Sequence, residues 1–235
     1  MDKINLVLRY VLIILGLFLL MDSKVIADNS KDVAIVLKSK GKVSIKKIAT
    51  NKWYTGRRGK RLDSGDIIKT ADNSLVAVMF TDDKSLIKVR DNSTVAIKGK
   101  REKKSIAKRI FCSVGSFWLR AKKQKTKLFV ETPSGMAAIK GSAAYFTITP
   151  EETKVMVTDG IFQLWNKFGE IFVNLGETGR LTRDGKPIKY KTTVEEVKAA
   201  GSENDDEQLV KELKLKFKDS QGEEKDLIIK YKEKK

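Results

Sequence analysis

Between Val33 and Ile188 the chain is a succession of short runs rich in Val, Ile, Thr and aromatic residues, separated by turns where Gly, Asp and Asn recur. This leaves little room for helices and constrains the fold to short β-strands joined by tight turns. The runs read as strands are 34–37, 42–48, 67–70, 75–80, 86–89, 94–98, 116–120, 128–132, 143–149, 154–158, 161–165 and 170–175. In 75–80 both strand faces are apolar, which predicts a central strand covered on both sides. Elsewhere the alternation is clean, with Ile87 and Val89 set against Lys88 and Arg90. Three segments echo one another: Gly41-Lys-Val-Ser-Ile45, Gly115-Ser-Phe-Trp-Leu119 and Gly160-Ile-Phe-Gln-Leu164. Each is a turn glycine launching a strand. Their spacing is unequal, so they are not a regular solenoid repeat, but they suit stacked strands with sharp corners.

The two ends read differently. Residues 1–27 have the form of an export signal: Lys3 and Arg9, then the apolar run from Val11 to Met21, then Val25-Ile26-Ala27. Cleavage is expected between Ala27 and Asp28. The apolar run is shorter than the roughly 20 residues that span a bilayer, and an uncleaved signal-anchor is the alternative. Beyond Lys189 the composition shifts. Residues 192–200 carry a weak helical pattern, and 201–208 are polar and acidic. Leu213, Leu215 and Phe217 then alternate with lysines, which predicts a terminal β-hairpin turning at 219–222, with an amphipathic helix over 206–218 as the competing reading. The expected division is therefore a signal peptide (1–27), a β domain (33–188), and a charged linker with a helix or hairpin (189–235).

The chain has no histidine and one cysteine, Cys112. The commonest general base and transition-metal ligand is thus missing, and no internal disulfide can form. Cys112 sits in an apolar run and reads as a buried, inert thiol. Phosphate-loop, dinucleotide and nucleophile-elbow motifs are absent. Asp63, Asp66, Asp82 and Asp83 fall at turns, where Asp bonds to local backbone. The expectation is a protein that is not an enzyme and that uses no metal or cofactor.

The formal net charge of +18 favours polyanionic partners. The basic residues gather in three clusters: Arg57, Arg58, Lys60 and Arg61; the stretch 98–109, including Lys103 and Lys104; and Lys122, Lys123, Lys125 and Lys127. Trp53 and Tyr54 precede the first, and Phe117 and Trp118 precede the third. Basic residues beside aromatics suit stacking and phosphate contact. For an exported chain, membrane phosphates, anionic envelope polymers or an acidic protein face are better partners than nucleic acid. Arg57, Arg58, Lys103, Lys104, Lys122 and Lys123 are the candidate contacts. The simpler reading makes the tryptophans core residues and the lysines exposed loop tips.

Several motifs in series resemble a known family. Leu62-Asp-Ser-Gly65-Asp66-Ile-Ile-Lys-Thr70 is followed by Ser74-Leu-Val-Ala-Val-Met-Phe80 with Asp83 and Ser85. Val130-Glu-Thr132-Pro133-Ser-Gly135 leads to Ala138-Ile-Lys140-Gly141-Ser142 and Phe146. Val155-Met-Val-Thr-Asp-Gly160 and Leu175-Gly176-Glu177 complete the series. From about Gly41 to Leu181 the chain resembles the FecR domain, the extracytoplasmic signalling domain of iron-transport regulators and of many other exported bacterial proteins. The resemblance implies an all-β fold of stacked, sharply cornered strands, in a twisted β-solenoid-like or sandwich-like body. It also implies that these motif residues act mostly as structural turn and strand-end positions. Ser142 stands where the family usually has Thr, and only Met1 to Tyr10 precedes the apolar run, where sigma-regulating members carry a cytoplasmic helical domain. What is implied is the periplasmic module alone: an exported, non-catalytic binding or signalling unit of the cell envelope acting through protein contact. A membrane-anchored regulator, or a basic structural protein binding anionic envelope polymers, are the alternatives.

Overall fold

The computed structural model describes residues 32–102, 105–123, 127–200, 210–218 and 224–232, the last two stretches as backbone. Ala27, Asp28, Lys103, Lys104, Lys125 and the turn expected at 219–222 lie outside the described residues.

The main body runs through β1 (Asp32–Lys40), β2 (Val43–Lys47), β3 (Lys52–Thr55), β4 (Arg61–Asp63), β5 (Ile67–Thr70), β6 (Leu75–Phe80), β7 (Leu86–Val89), β8 (Thr94–Glu102) and β9 (Ser105–Arg120). It continues through β10 (Leu128–Thr132), β11 (Gly135–Ile139), β12 (Ala143–Ile148), β13 (Glu152–Asp159), β14 (Ile161–Asn166), β15 (Gly169–Asn174), β16 (Glu177–Thr182) and β17 (Ile188–Lys191). These 17 strands form one hydrogen-bonded sheet system, almost wholly antiparallel. It divides into two leaves. The front leaf has the order β3-β2-β5-β8-β9-β10-β11-β14-β15, and the back leaf β4-β1-β6-β7-β9-β12-β13-β16-β17. Strand β9 belongs to both: its first half pairs with β8 and β10, its second with β7 and β12.

The fold is all-β, as the sequence predicts. The solenoid-like or sandwich-like description was looser than the structure, which is a large mixed sheet that does not close. β3, β4, β11, β16, β17 and the first half of β9 were not read as strands. In β9 the apolar alternation is broken by Lys108 and Arg109, which drew the whole stretch into a basic cluster. That cluster is mostly strand rather than loop tip: β8 and β9 pair in register from Thr94↔Val114 to Glu102↔Ser105.

The inward side chains of both leaves form one core, which includes Ile45, Phe80, Ile97, Ile110, Phe117, Val130, Phe146 and Phe162. Phe117 stacks on Phe146 at 4.7 Å, and Phe162 meets Phe146 edge-on at 6.0 Å. Burying each such ring contributes roughly 1.5–3 kcal/mol. As expected, β6 is central, held between β1 and β7, but it is not fully covered on both sides: Val76, Val78 and Phe80 are buried, whereas Leu75 and Met79 on the other face are half-buried.

The three echoed segments are the corners where the chain crosses between leaves, and each is pinned by a buried serine. Lys42 N–H donates to Ser74 Oγ at 2.9 Å, Ser116 N–H to Ser93 Oγ at 2.9 Å, and Ile161 N–H to Ser142 Oγ at 3.2 Å. Each serine follows a residue at positive φ: Asn73 (52°), Asn92 (51°) and Gly141 (77°). At Gly115, φ is 117° and an added Cβ would overlap the Ser93 backbone, so only glycine fits this crossing.

After the main body, helix α1 (Val194–Ala200) opens on a capping box: Glu196 N–H donates to Thr193 Oγ1, and Thr193 N–H to the Glu196 carboxylate, both at 3.2 Å. The Glu196 carboxylate also accepts from Tyr190 Oη at 2.6 Å and from Thr178 Oγ1 at 3.0 Å, which ties the helix to the back leaf. Burial and the adjoining carboxylate push Tyr190 up to about 12. A separate two-stranded ribbon, β18 (Val210–Lys218) with β19 (Glu224–Lys232), pairs from Val210↔Lys232 to Lys218↔Glu224. Among the described residues no helix is long and apolar enough to cross a membrane.

Candidate binding surface

The outward face of the front leaf carries two cross-strand rows. One runs Phe111, Glu131, Met136, Trp165 and Glu170 across β9, β10, β11, β14 and β15. The next runs Arg109, Phe129, Ala138, Gln163 and Phe172 over the same strands. Strand alternation explains this: Ile110, Val130, Ala137 and Leu164 point into the core, so their neighbours point out. Phe111, Phe129, Met136 and Trp165 are half-buried, and Phe172 is exposed. Phe129 meets Trp165 edge-on at 6.3 Å. Arg109 and Glu131 approach to 3.4 Å, an exposed pair worth little to stability. Aromatic, Met and Arg side chains together on an accessible face are the composition of protein-binding surfaces.

At one end these rows meet an open depression of about 740 Å³, lined by the β10–β11 turn, the β14–β15 turn and Arg183. The first turn is Thr132-Pro133-Ser134-Gly135. Thr132 Oγ1 donates to Gly135 O at 3.0 Å and accepts from Thr153 Oγ1 at 2.8 Å. Ser134 Oγ is buried and has no hydrogen-bond partner among the described residues. Gly135 packs so closely on β14 that a Cβ there would lie 2.5 Å from Trp165 O. The second turn is held by Asn166 Nδ2, which donates to Thr182 O at 3.0 Å and Gly185 O at 2.8 Å, while Phe168 N–H donates to Asn166 Oδ1 at 2.9 Å. Lys167 Nζ lies 4.8 Å from the centre of the Phe168 ring. The depression therefore offers Trp165, Met136 and Pro133 beside two cations, Lys167 and Arg183, and one carboxylate, Glu131, which faces Arg109.

A second cluster is internal. The Lys108 ammonium is fully buried, 2.7 Å from Asp82 Oδ2 and 2.9 Å from Asp83 Oδ2, with the Phe80 ring at 5.4 Å. Asp82 Oδ2 also accepts from Ile106 N–H at 2.7 Å. Burial alone would raise Asp83, but hydrogen bonds from Lys108 and from Ser85 hold it below the ordinary carboxylate value. Sequence reading missed Lys108, whose signal is a lysine at an inward position of an alternating strand. Cys112 is buried, and desolvation pushes its thiol up to about 12.

The motif residues take local roles. Asp66 is buried and accepts from Lys47 Nζ at 2.6 Å, Asp63 N–H at 2.8 Å and Ile48 N–H at 3.0 Å, beside Gly65 at a φ of 96°. Thr70 Oγ1 donates to Arg90 O at 2.5 Å and accepts from Ser93 N–H at 3.0 Å. Gly141 precedes the corner serine, with exposed Lys140 before it. Gly160 and Gly176 have φ of 72° and 79° at crossings between leaves. Thr132, Pro133 and Gly135 come together at the depression. Among the described basic candidates, Arg57 and Arg58 lie between the edge strands β3 and β4, whereas Lys122 and Lys123 follow β9. Trp118 is buried, with Arg120 and Lys88 stacked over it at 5.0 and 5.3 Å, but Trp53 is half exposed on edge strand β3. The outward rows escaped sequence reading because they exist only once strands distant in sequence are aligned.

Residues 66–162 match the family model described as FecR protein. The resemblance read from the sequence therefore holds over those residues, while the motif positions at 62–65 and 175–177 fall outside the matched span. Two crystal structures of a protein from Parabacteroides distasonis ATCC 8503, provisionally named an anti-sigma factor, are similar to this chain. One is at 2.50 Å resolution and the other at 1.65 Å; both have TM-score 0.49 and 13% identity and cover 57% of this chain, and 62% and 63% of the other. The chain thus spans less than two thirds of that protein's length. No curated protein matches it.

Proposed function

We propose that this chain, similar to the FecR family over residues 66–162, is an exported, non-catalytic binding and signalling module of the cell envelope. It engages another protein through the outward face of the front leaf. The observation that carries this reading is the pair of outward rows, where Phe111, Phe129, Met136, Trp165 and Phe172 lie within reach of one partner surface. The motif turn Thr132–Gly135 sets the lip of the adjoining depression, so family motif and surface meet in one place.

The test is a pull-down from envelope extract with the purified chain at low and at high salt. Retention of a discrete protein at high salt, reduced by Trp165→Ala, is the expected result. Retention only at low salt would leave a basic protein adsorbing anionic polymers, the second reading, which rests on the net charge of +18.

A further inference from the structure

The four outermost strands of the two leaves differ in how their free edges are guarded. β3 and β17 are four residues long and carry Lys52 and Lys189 with Lys191; β4 is three residues long and carries Arg61. Short length and basic side chains are ordinary means of keeping an edge from pairing with another chain. β15, Gly-Glu-Ile-Phe-Val-Asn, has six residues and none of Lys, Arg or Pro; its one charge, Glu170, accepts from Gln163 Nε2 of β14 at 2.9 Å. It pairs with β14 in unbroken register from Asn166↔Gly169 to Ile161↔Asn174, and no other strand is in register with it among the described residues, though at its end Asn174 N–H donates to Glu177 Oε2 at 2.8 Å. The surface around it is apolar: Phe172 is 53% exposed, Leu175 65%, Ile161 55% and Phe168 40%. Just before the strand lies Lys167, which shares the depression with Arg183; neither is in an ion pair among the described residues.

We propose that β15 is where a partner protein adds a strand. The occupant is an extended segment with an apolar centre and a carboxylate at the end that meets Lys167 and Arg183. Backbone N–H and C=O groups along an edge without a strand partner are satisfied by another extended backbone, and the side chains beside it set specificity. Phe172 and Leu175 select apolar neighbours, and the two cations select the acidic end. A second copy of this chain fits less well. Each copy carries a net charge of +18, so two copies repel one another. This inference rests on the protein-binding reading above and narrows it.

The experiment selects random displayed peptides on the immobilised full chain at high salt, then follows amide exchange of β15 with the best peptide bound. Peptides with an apolar centre and an acidic end are expected to slow exchange across β15. Affinity should fall about tenfold or more in Phe172→Lys/Leu175→Lys and in the surface variant Lys167→Glu/Arg183→Glu. Trp53→Lys, at the opposite edge of the same leaf, should bind as the wild type does. No selected peptide, protection elsewhere than β15, self-association as the only β15 contact, or full binding by both β15-side variants would each overturn the proposal. Pull-down with the same variants separates the two readings. If an envelope protein is kept at high salt equally by wild type and by Phe172→Lys/Leu175→Lys, protein binding stands and β15 falls. If nothing is kept at high salt, both fall.

Discussion

At Lys84 the backbone takes a φ of 61°, a left-handed conformation that costs an L-residue with a Cβ about 1–2 kcal/mol. The position precedes Ser85, whose Oγ accepts from Lys122 N–H at 2.9 Å, so the strain serves another serine-pinned corner. Asn73, Asn92 and Gly141 hold the matching positions with residues that tolerate this region. Lys84→Gly should therefore raise stability by roughly 0.5–1 kcal/mol, measured by denaturant unfolding, because the relieved strain exceeds glycine's entropic cost. Next to it, Asp83 makes a pH prediction. Its folded-state pKa lies below the unfolded one, so its contribution is present above the ordinary carboxylate range near 4 and is lost as pH falls through the depressed folded value. Asp83→Asn should lower stability at neutral pH and flatten its loss between about pH 5 and pH 2; an unchanged acid profile would show that the pairing with Lys108 contributes nothing.

At the level of elements, β9 decides the architecture. Its 16 residues serve the front leaf up to Val114 and the back leaf from Gly115 onward. The bend needs a residue without Cβ at Gly115, and it needs Ser93 to accept from Ser116 N–H and to donate to Asp91 O at 2.9 Å. Gly115→Ala forces a methyl group into the Ser93 backbone and should cost about 3 kcal/mol or more, read as a lowered denaturation midpoint at unchanged m-value. Ser93→Ala removes the hydroxyl while leaving space, so it should cost less, on the order of 1–3 kcal/mol. If the alanine at 115 proved the milder change, the crossing would not depend on close packing.

For the whole molecule, a net charge of +18 sets up self-repulsion that compactness must overcome. Added salt screens it over a Debye length of about 8 Å at physiological ionic strength. Thermal stability should therefore rise between low and moderate salt, while adsorption to anionic matrices should fall over the same range. A melting temperature insensitive to salt would mean that the basic residues are already compensated by local pairs such as Lys47 with Asp63 and Asp66.

The all-β class was legible in the chain because strand alternation and turn residues are local signals. So were the central place of β6, and Gly41, Gly115 and Gly160 as corners, although Gly115 bends a continuous strand rather than launching one. The first half of β9 was not, because inward Lys108 breaks the apolar period and reads as surface until Asp82 and Asp83 are brought beside it. The corner serines look like turn residues in the sequence; only the crossing geometry reveals that each accepts the N–H of a corner 19 to 32 positions away. The surface rows and the unguarded edge of β15 were wholly a matter of tertiary structure. Which residues share a face across nine strands depends on inter-strand register, and register is fixed by contacts between segments that the sequence holds far apart.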